Sequence, residues 1–194
     1  MLEQLRSIVQ EVNAAHDLQS ALDIIVSRVR QALGTQVCSI FLLDKDLNSH
    51  VLMASEGLRK EAVGRVSLEV GEGLVGLVAK HAEPINLQDA SLHPSFHYLQ
   101  ETGEEEFHAF LGVPIIHHRA VLGVLVVQHQ DKRRFDEGEE AFLVTMSAQL
   151  AGVIAHAEAT GNILELSHKR KERKTARFNG APGSAGVGLG QGYV

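Results

Sequence analysis

Two apolar runs, Ala109–Ile116 and Val121–Gln130, are separated only by the short segment His117–Ala120. So short a connection makes the two runs antiparallel neighbours, and the pair reads as a β-hairpin. Neither run alternates polar with apolar residues, which marks strands that meet water on neither face. Gly112 and Gly123 thin these strands where backbone or a ligand comes close. Val37–Leu43 (VCSIFLL) has the same largely apolar character, and after the turn Asp44–Lys45–Asp46 and Asn48 the chain returns as His50–Ser55. Sequential hairpins of this kind predict an antiparallel sheet that must be covered on both sides.

Helices supply the cover. Leu2, Leu5, Ile8, Val9 and Val12 make an amphipathic first helix. Asp17 is placed to cap a second, whose buried face holds Leu18, Leu22, Ile25, Val26, Val29 and Leu33, and Gly34 ends it. Far along the chain, Asp136 and Glu139 form a D-x-x-E capping box. The helix behind it carries Phe142, Met146, Leu150, Val153, Ile154 and Ala157 on one stripe and weakens at Thr160–Asn162. The fold class is α/β of the α+β type: an antiparallel sheet with the terminal helices on one face and a short helix plus a polar loop on the other. At 194 residues and 44% hydrophobic, the chain has apolar surface for one good core.

The short helix lies in the stretch around which the rest is arranged, Val70–Phe96, which follows a brief strand at Val66–Val70. Gly71, Gly73 and Gly76 open it, and Leu74, Leu77 and Val78 fall on one helical face. Pro84 stops the helix, Ile85–Asn86–Leu87 reads as a short strand, and Asp89, Ser91, His93, Pro94 and Ser95 form a polar loop ending at Phe96. A glycine-flanked helix N-terminus leaves backbone N–H groups free for an acceptor, and a loop of short polar side chains can close over it. This is the construction of a small-molecule pocket.

Charge and composition narrow the partners. Net charge is −6, but residues 169–177 hold six Lys/Arg against the single Glu172, so the part before them is markedly acidic. An acidic globule repels phosphate backbones, which argues against nucleic acid, and the basic run reads as a solvated linker. No run of about 18 apolar residues is present, so no membrane span is expected. Glu3, Arg6 and Glu11 interrupt the apolar positions of the N-terminus, unlike a signal peptide. The single cysteine, Cys38, excludes an internal disulfide framework and fits a reducing, cytoplasmic setting.

The order of elements over residues 1–160 resembles a GAF domain, a small-molecule-sensing module. EGLVGLVAKHAEPINLQDA is similar to the GAF segment G-x-x-G-x-x-x-x-x-x-x-P-x-x-x-x-D, FLGVPIIHHRAVLGVLVVQHQ to the following strand pair, and FDEGEEAFLVTMSAQLAGVIAHA to the closing helix. VCSIFLLD and DASLHPSFHY…FHAFLGVPII resemble most the sensory domain of nitrogen-system enzyme I, the phosphoenolpyruvate–protein phosphotransferases. Gly180, Gly183, Ser184, Gly186 and Gly190 resemble the G-x-x-G-S-x-G-x-x-x-G opening of their catalytic region. The resemblance implies a sensory domain over 1–160, a basic helical or disordered linker over 161–179, and the start of the catalytic region over 180–194.

That resemblance implies a regulatory domain that binds a nitrogen-status metabolite, glutamine or 2-oxoglutarate, to control phosphotransfer from phosphoenolpyruvate to a small phosphocarrier protein. No T-S-H-A-type phosphorylated-histidine segment occurs in these residues, so no catalysis is expected of them. No cofactor is expected here, with Mg2+ needed only by the absent catalytic region. The candidate ligand-binding residues are Ser39, Phe41, Gly73, Leu74, Val75, Asn86, Asp89, Ser91, His93, Phe96 and Phe110, although Asp89, Ser91 and His93 equally fit a loop that satisfies its own backbone. An α-carboxylate near Gly73–Val75 would use the positive helix end.

Other chemistries find less support. His93 and His97 are four apart, but Pro94 disfavours a helix through them and no matched ligand set accompanies them. His117–His118 sit in a turn, and Cys38 lies within an apolar strand. Methionine sulfoxide reductases of the GAF type need several cysteines, and bilin-binding GAF domains need one near the pocket loop, where residues 81–110 have none. A GAF sensor of a transcriptional activator or other signalling protein is the alternative reading. Finally, one sheet face has limited room for three helices. Part of the apolar stripes of the first and closing helices is therefore expected to stay uncovered and to form a homodimer, with Ala148, Ala151, Gly152 and Ala155 permitting close approach.

Overall fold

In the computed structural model, the described residues are 2–97, Thr102 and 107–161. The acidic segment Glu101–Glu106 (except Thr102), the linker beyond Gly161 and the glycine-rich tail lie outside them. Helices α1 (Leu2–Asn13) and α2 (Leu18–Leu33) come first, then the hairpin β1 (Val37–Asp44) and β2 (Ser49–Glu56) and the short strand β3 (Ser67–Glu69). Helix α3 (Gly73–His81) and strand β4 (Ile85–Leu87) lead to the hairpin β5 (Ala109–His117) and β6 (Ala120–His129), and helix α4 (Glu137–Ala159) closes the fold. All pairings are antiparallel, in the order β3-β2-β1-β6-β5-β4.

Local signals account for most boundaries. The Asp17 carboxylate accepts from the Ser20 amide at 2.7 Å and starts α2, while Gly34 in the left-handed conformation (φ 62°) ends it. Asp136 and Glu139 close the expected capping box, each side chain accepting from the other's backbone N–H at 2.8 Å. The four-residue turn is tight enough to force His118 and Arg119 to positive φ, and the rings of His117 and His118 stack with centroids 4.0 Å apart.

The sheet divides the interior into two cores. Ile40, Leu111, Val113, Ile115, Leu125 and Val127 face α2 and α4, against which α1 packs in the same core. Val37, Phe41, Leu52, Phe110, Val124 and Val126 face the opposite layer, where Leu74, Val75 and Val78 of α3 and Ala90 lie. Covering both faces explains why β5 and β6 lack polar alternation.

Two expectations are corrected. Helix α3 buries Leu74, Val75 and Val78, with Leu77 only partly covered. The backbone of Gly71 folds so closely against Gly76 that a Cβ there would lie 2.5 Å from the Gly71 carbonyl carbon, so the buried face includes Gly76 and its neighbour Val75. The closing stripe is also not left uncovered. Phe142, Met146, Leu150, Ile154 and Ala157 are all buried within one chain, and only Val153 is partly exposed. Helix α4 runs along β5 with α2 beside it on the sheet, and α1 packs on α2 and α4 rather than taking sheet area of its own. By length and composition α4 is apolar enough to cross a membrane, yet it is packed here as a core helix. The α1 stripe is looser, burying Ile8 and Val12 while Leu2 is 84% exposed.

Candidate functional site

The site lies on the α3 side of the sheet. Strand alternation places Phe41 of β1, Phe110 of β5 and Gln128 of β6 on that face, and Gln128 pairs in register with both Phe110 and Val37. Gly112 makes room for the Phe110 ring, since a Cβ there would meet ring atoms at 2.9 Å and Val78 at 3.0 Å. The N-terminus of α3 points in from above. Gly71 and Gly73 take positive φ (88° and 65°) to deliver it, a turn that side-chain-bearing residues resist.

Glu72 occupies the cap position of α3 without capping it. Its carbonyl accepts from Gly76 N–H at 2.9 Å, and its carboxylate accepts from Glu69 N–H at 2.8 Å and sits 3.5 Å from His97 Nε2. Among the described residues, the N–H groups of Gly73, Leu74 and Val75 have no acceptor. They form the positive end of the helix.

Around them is a cavity of about 30 Å³, room for a water molecule. Of the residues expected from the sequence, Phe41, Gly73, Leu74, Val75, Phe96 and Phe110 line it together. Leu68, His97 and Gln128 also line it and were not expected. Gln128 had a signal: it is the lone amide of β6, at the spacing of Val124 and Val126. It is 3% exposed, and its Oε1 has no partner among the described residues.

The other five expected residues do not line the cavity, and all five make hydrogen bonds within the chain. Asn86 works like a piece of backbone: its Oδ1 accepts from Phe135 N–H at 3.2 Å, and its Nδ2 donates to Phe135 O at 2.9 Å and to Glu140 at 3.0 Å. Asp89 caps the 3₁₀ turn Ala90–Leu92, accepting from the Ser91 amide (3.2 Å) and hydroxyl (2.6 Å). Its carboxylate also meets Lys132 Nζ at 2.8 Å and His108 Nδ1 at 3.3 Å. Lys132, Ser91 and His108 together hold that carboxyl well below the usual carboxylate range. His93 Nδ1 accepts from the Ser95 amide at 3.1 Å. Ser39 shares the cavity face of β1 but bonds Ser55 across the hairpin, Oγ to Oγ at 2.9 Å.

Asn86 and Asp89 are thus a fastening between the pocket layer and the segment that starts α4. It wraps the edge of the sheet, where Arg133 adds a bidentate pair with Glu139 and stacks 4.4 Å over Phe135. Elsewhere, Cys38 is fully buried and burial pushes its thiol up, which leaves it unreactive. Burial lowers the pKa of His50, which lies opposite Leu68.

The GAF domain family matches residues 17–154. A protein of the phosphoenolpyruvate-dependent phosphotransferase system of Escherichia coli K12 is 44% identical over 193 residues, covering 100% of this chain and 25% of that protein. The chain therefore spans about a quarter of the length of the curated relatives it matches first. The solved GAF domain of a phosphoenolpyruvate-protein phosphotransferase from Coxiella burnetii is 49% identical, with a TM-score of 0.80 over 82% of this chain and 95% of that one. The corresponding Acinetobacter domain is 50% identical, with a TM-score of 0.76 over 83% and 96%.

Proposed function

The chain belongs to the GAF domain family, and to the GAF domains of phosphoenolpyruvate–protein phosphotransferases; from that premise we propose that it binds a nitrogen-status metabolite, glutamine or 2-oxoglutarate, to control phosphotransfer from phosphoenolpyruvate to a carrier protein. The observation that carries this reading is the N-terminus of α3. Three backbone N–H groups at Gly73–Val75, without acceptors among the described residues, converge on a wall made by Phe41 and Phe110. A carboxylate binds there by hydrogen bonds and by the helix dipole, and the aliphatic stem of the metabolite lies on the rings. Because the cavity is about 30 Å³, room for one water, binding such a ligand requires its lining to widen.

In this reading, these residues regulate, and the transfer chemistry with its Mg2+ resides in the part of the relatives that this chain does not span. The protein works in the cytoplasm. Movement of the pocket loop reaches α4 through Asn86–Phe135 and Asp89–Lys132. Assembly is as a homodimer through the outer faces of the terminal helices. On α4 this face is uncharged from Ala141 to Ala155, with Val144 41% exposed and Ala148 and Gly152 in the open.

Titration calorimetry and thermal unfolding of the full chain with glutamine and 2-oxoglutarate test the reading. A ligand at a hundred times its Kd adds about 2.7 kcal/mol to stability, which raises Tm by roughly 5–11 °C for a domain of this size. No heat and no Tm rise with either metabolite at millimolar concentration overturns it.

A further inference from the structure

We propose that Gln128 sets the ligand selectivity of the pocket: its side-chain oxygen accepts a hydrogen bond from an N–H donor on the ligand. The site then favours small anions that also carry a donor, the amino-acid class, over keto acids and dicarboxylates that carry acceptors alone. This rests on the reading that the α3 pocket binds a small anion.

Gln128 is 3% exposed and sits on β6 between apolar neighbours, facing Val37 on one side and Phe110 on the other. A valine or leucine would fill such a position without leaving a polar atom unpaired. A buried carbonyl oxygen with no donor is costly, and the side-chain oxygen of Gln128 has none among the described residues. Thr35 and His50 also hold buried atoms without partners, but neither lines the cavity; Gln128 does. The same cavity presents the free N–H groups of Gly73–Val75, which are donors seeking an acceptor. The two poles are complementary to a molecule that bears both an anion and a donor. A site built to receive a hydrogen bond discriminates strongly against an analogue lacking the donor, because its own buried group is then left unpaired.

The test uses the full chain with L-glutamine and L-glutamate as donor-bearing probes, and 2-oxoglutarate and glutarate as donor-free ones. Affinities come from calorimetry. Amide chemical shifts of Gly73, Leu74 and Val75 report pocket occupancy independently of Gln128. The donor-bearing probes should bind at least tenfold more tightly. Gln128→Met, apolar and of similar length, should erase that ratio by weakening the amino acids while 2-oxoglutarate is unchanged. Gln128→Glu, which keeps an acceptor, should retain it. Gln128→Met should also leave Tm equal or higher, whereas a glutamine with a merely structural role would lose stability on replacement. If the shifts at Gly73–Val75 occur for both classes and Gln128→Met leaves their ratio unaltered, the assignment falls while the pocket stands. If no probe moves those amides, the pocket reading falls and takes this assignment with it.

Discussion

Replacing Leu150 separates a core position from an interface position. The residue is 0% exposed and sits between the sheet and α2 in the larger of the two cores. Leu150→Ala removes three carbon groups worth about 0.8 kcal/mol each in transfer free energy. The hole closes only partly, because β5 is anchored on both sides by pairing and α2 is held by its own buried face. A residual cavity brings the expected loss to about 3–4 kcal/mol, or a Tm lower by roughly 6–16 °C. Urea unfolding of the full chain, followed by circular dichroism at several protein concentrations, reads this directly. A core defect is independent of concentration, while the deficit from a lost interface contact shrinks on dilution, as wild type and variant both become monomeric. Val144→Ala, on the 41% exposed side of the same helix, is the control and should cost less than about 1 kcal/mol. A loss below 1 kcal/mol at Leu150, accompanied by conversion of a dimer to a monomer in light scattering, would refute the assignment of this residue to the interior.

Asp89 and the outer face of α4 give the remaining tests. The Asp89 carboxyl is held below its unfolded value by Lys132, Ser91 and His108, so its contribution is complete above the ordinary carboxylate pKa near 3.9 and is lost as pH falls toward the lower folded value. The stability gap between wild type and Asp89→Asn should therefore be constant from pH 7 to 5 and narrow steadily below about pH 4; a gap unchanged at pH 2 contradicts the pairing. Ala148→Arg places a charge on the exposed side of α4 and should yield a monomer with Tm within about 2 °C of wild type. A wild-type protein already monomeric at tens of micromolar in light scattering rejects the proposed dimer.

Nearly all elements were legible because their causes are local. The caps at Asp17 and Asp136, the stop at Gly34 and the uninterrupted apolar runs of β1, β5 and β6 each state an element within a few residues. The pocket's aromatic wall was legible too, since Phe41 and Phe110 sit on strands whose pairing is itself readable. What escaped depends on distant partners. A short polar loop looks alike whether its side chains meet a ligand or the chain itself, and Asn86 and Asp89 turn toward Phe135 and Lys132, far along the sequence. The stripe on α4 was correctly placed, but periodicity alone cannot say how much of it α1, α2 and the sheet will cover. The amide of Gln128 is ambiguous in the sequence, because an amide near the end of an apolar run also marks where a strand leaves the core.

The junction of β1 with β6 has a consequence for the order in which the molecule assembles. Each hairpin on either side is local and closes quickly, but β1 and β6 come from opposite ends of the sheet-forming chain and must find each other across a large loop. The register there is unforgiving, since a side chain at Gly123 would strike the Phe41 carbonyl. Phe41 belongs to the early half, while Phe110 and Gln128 belong to the late one. Neither half owns the pocket. It comes into existence only when the two halves zip together, so a ligand bound there as proposed would act as a clasp across that junction, slowing its opening rather than hastening its formation.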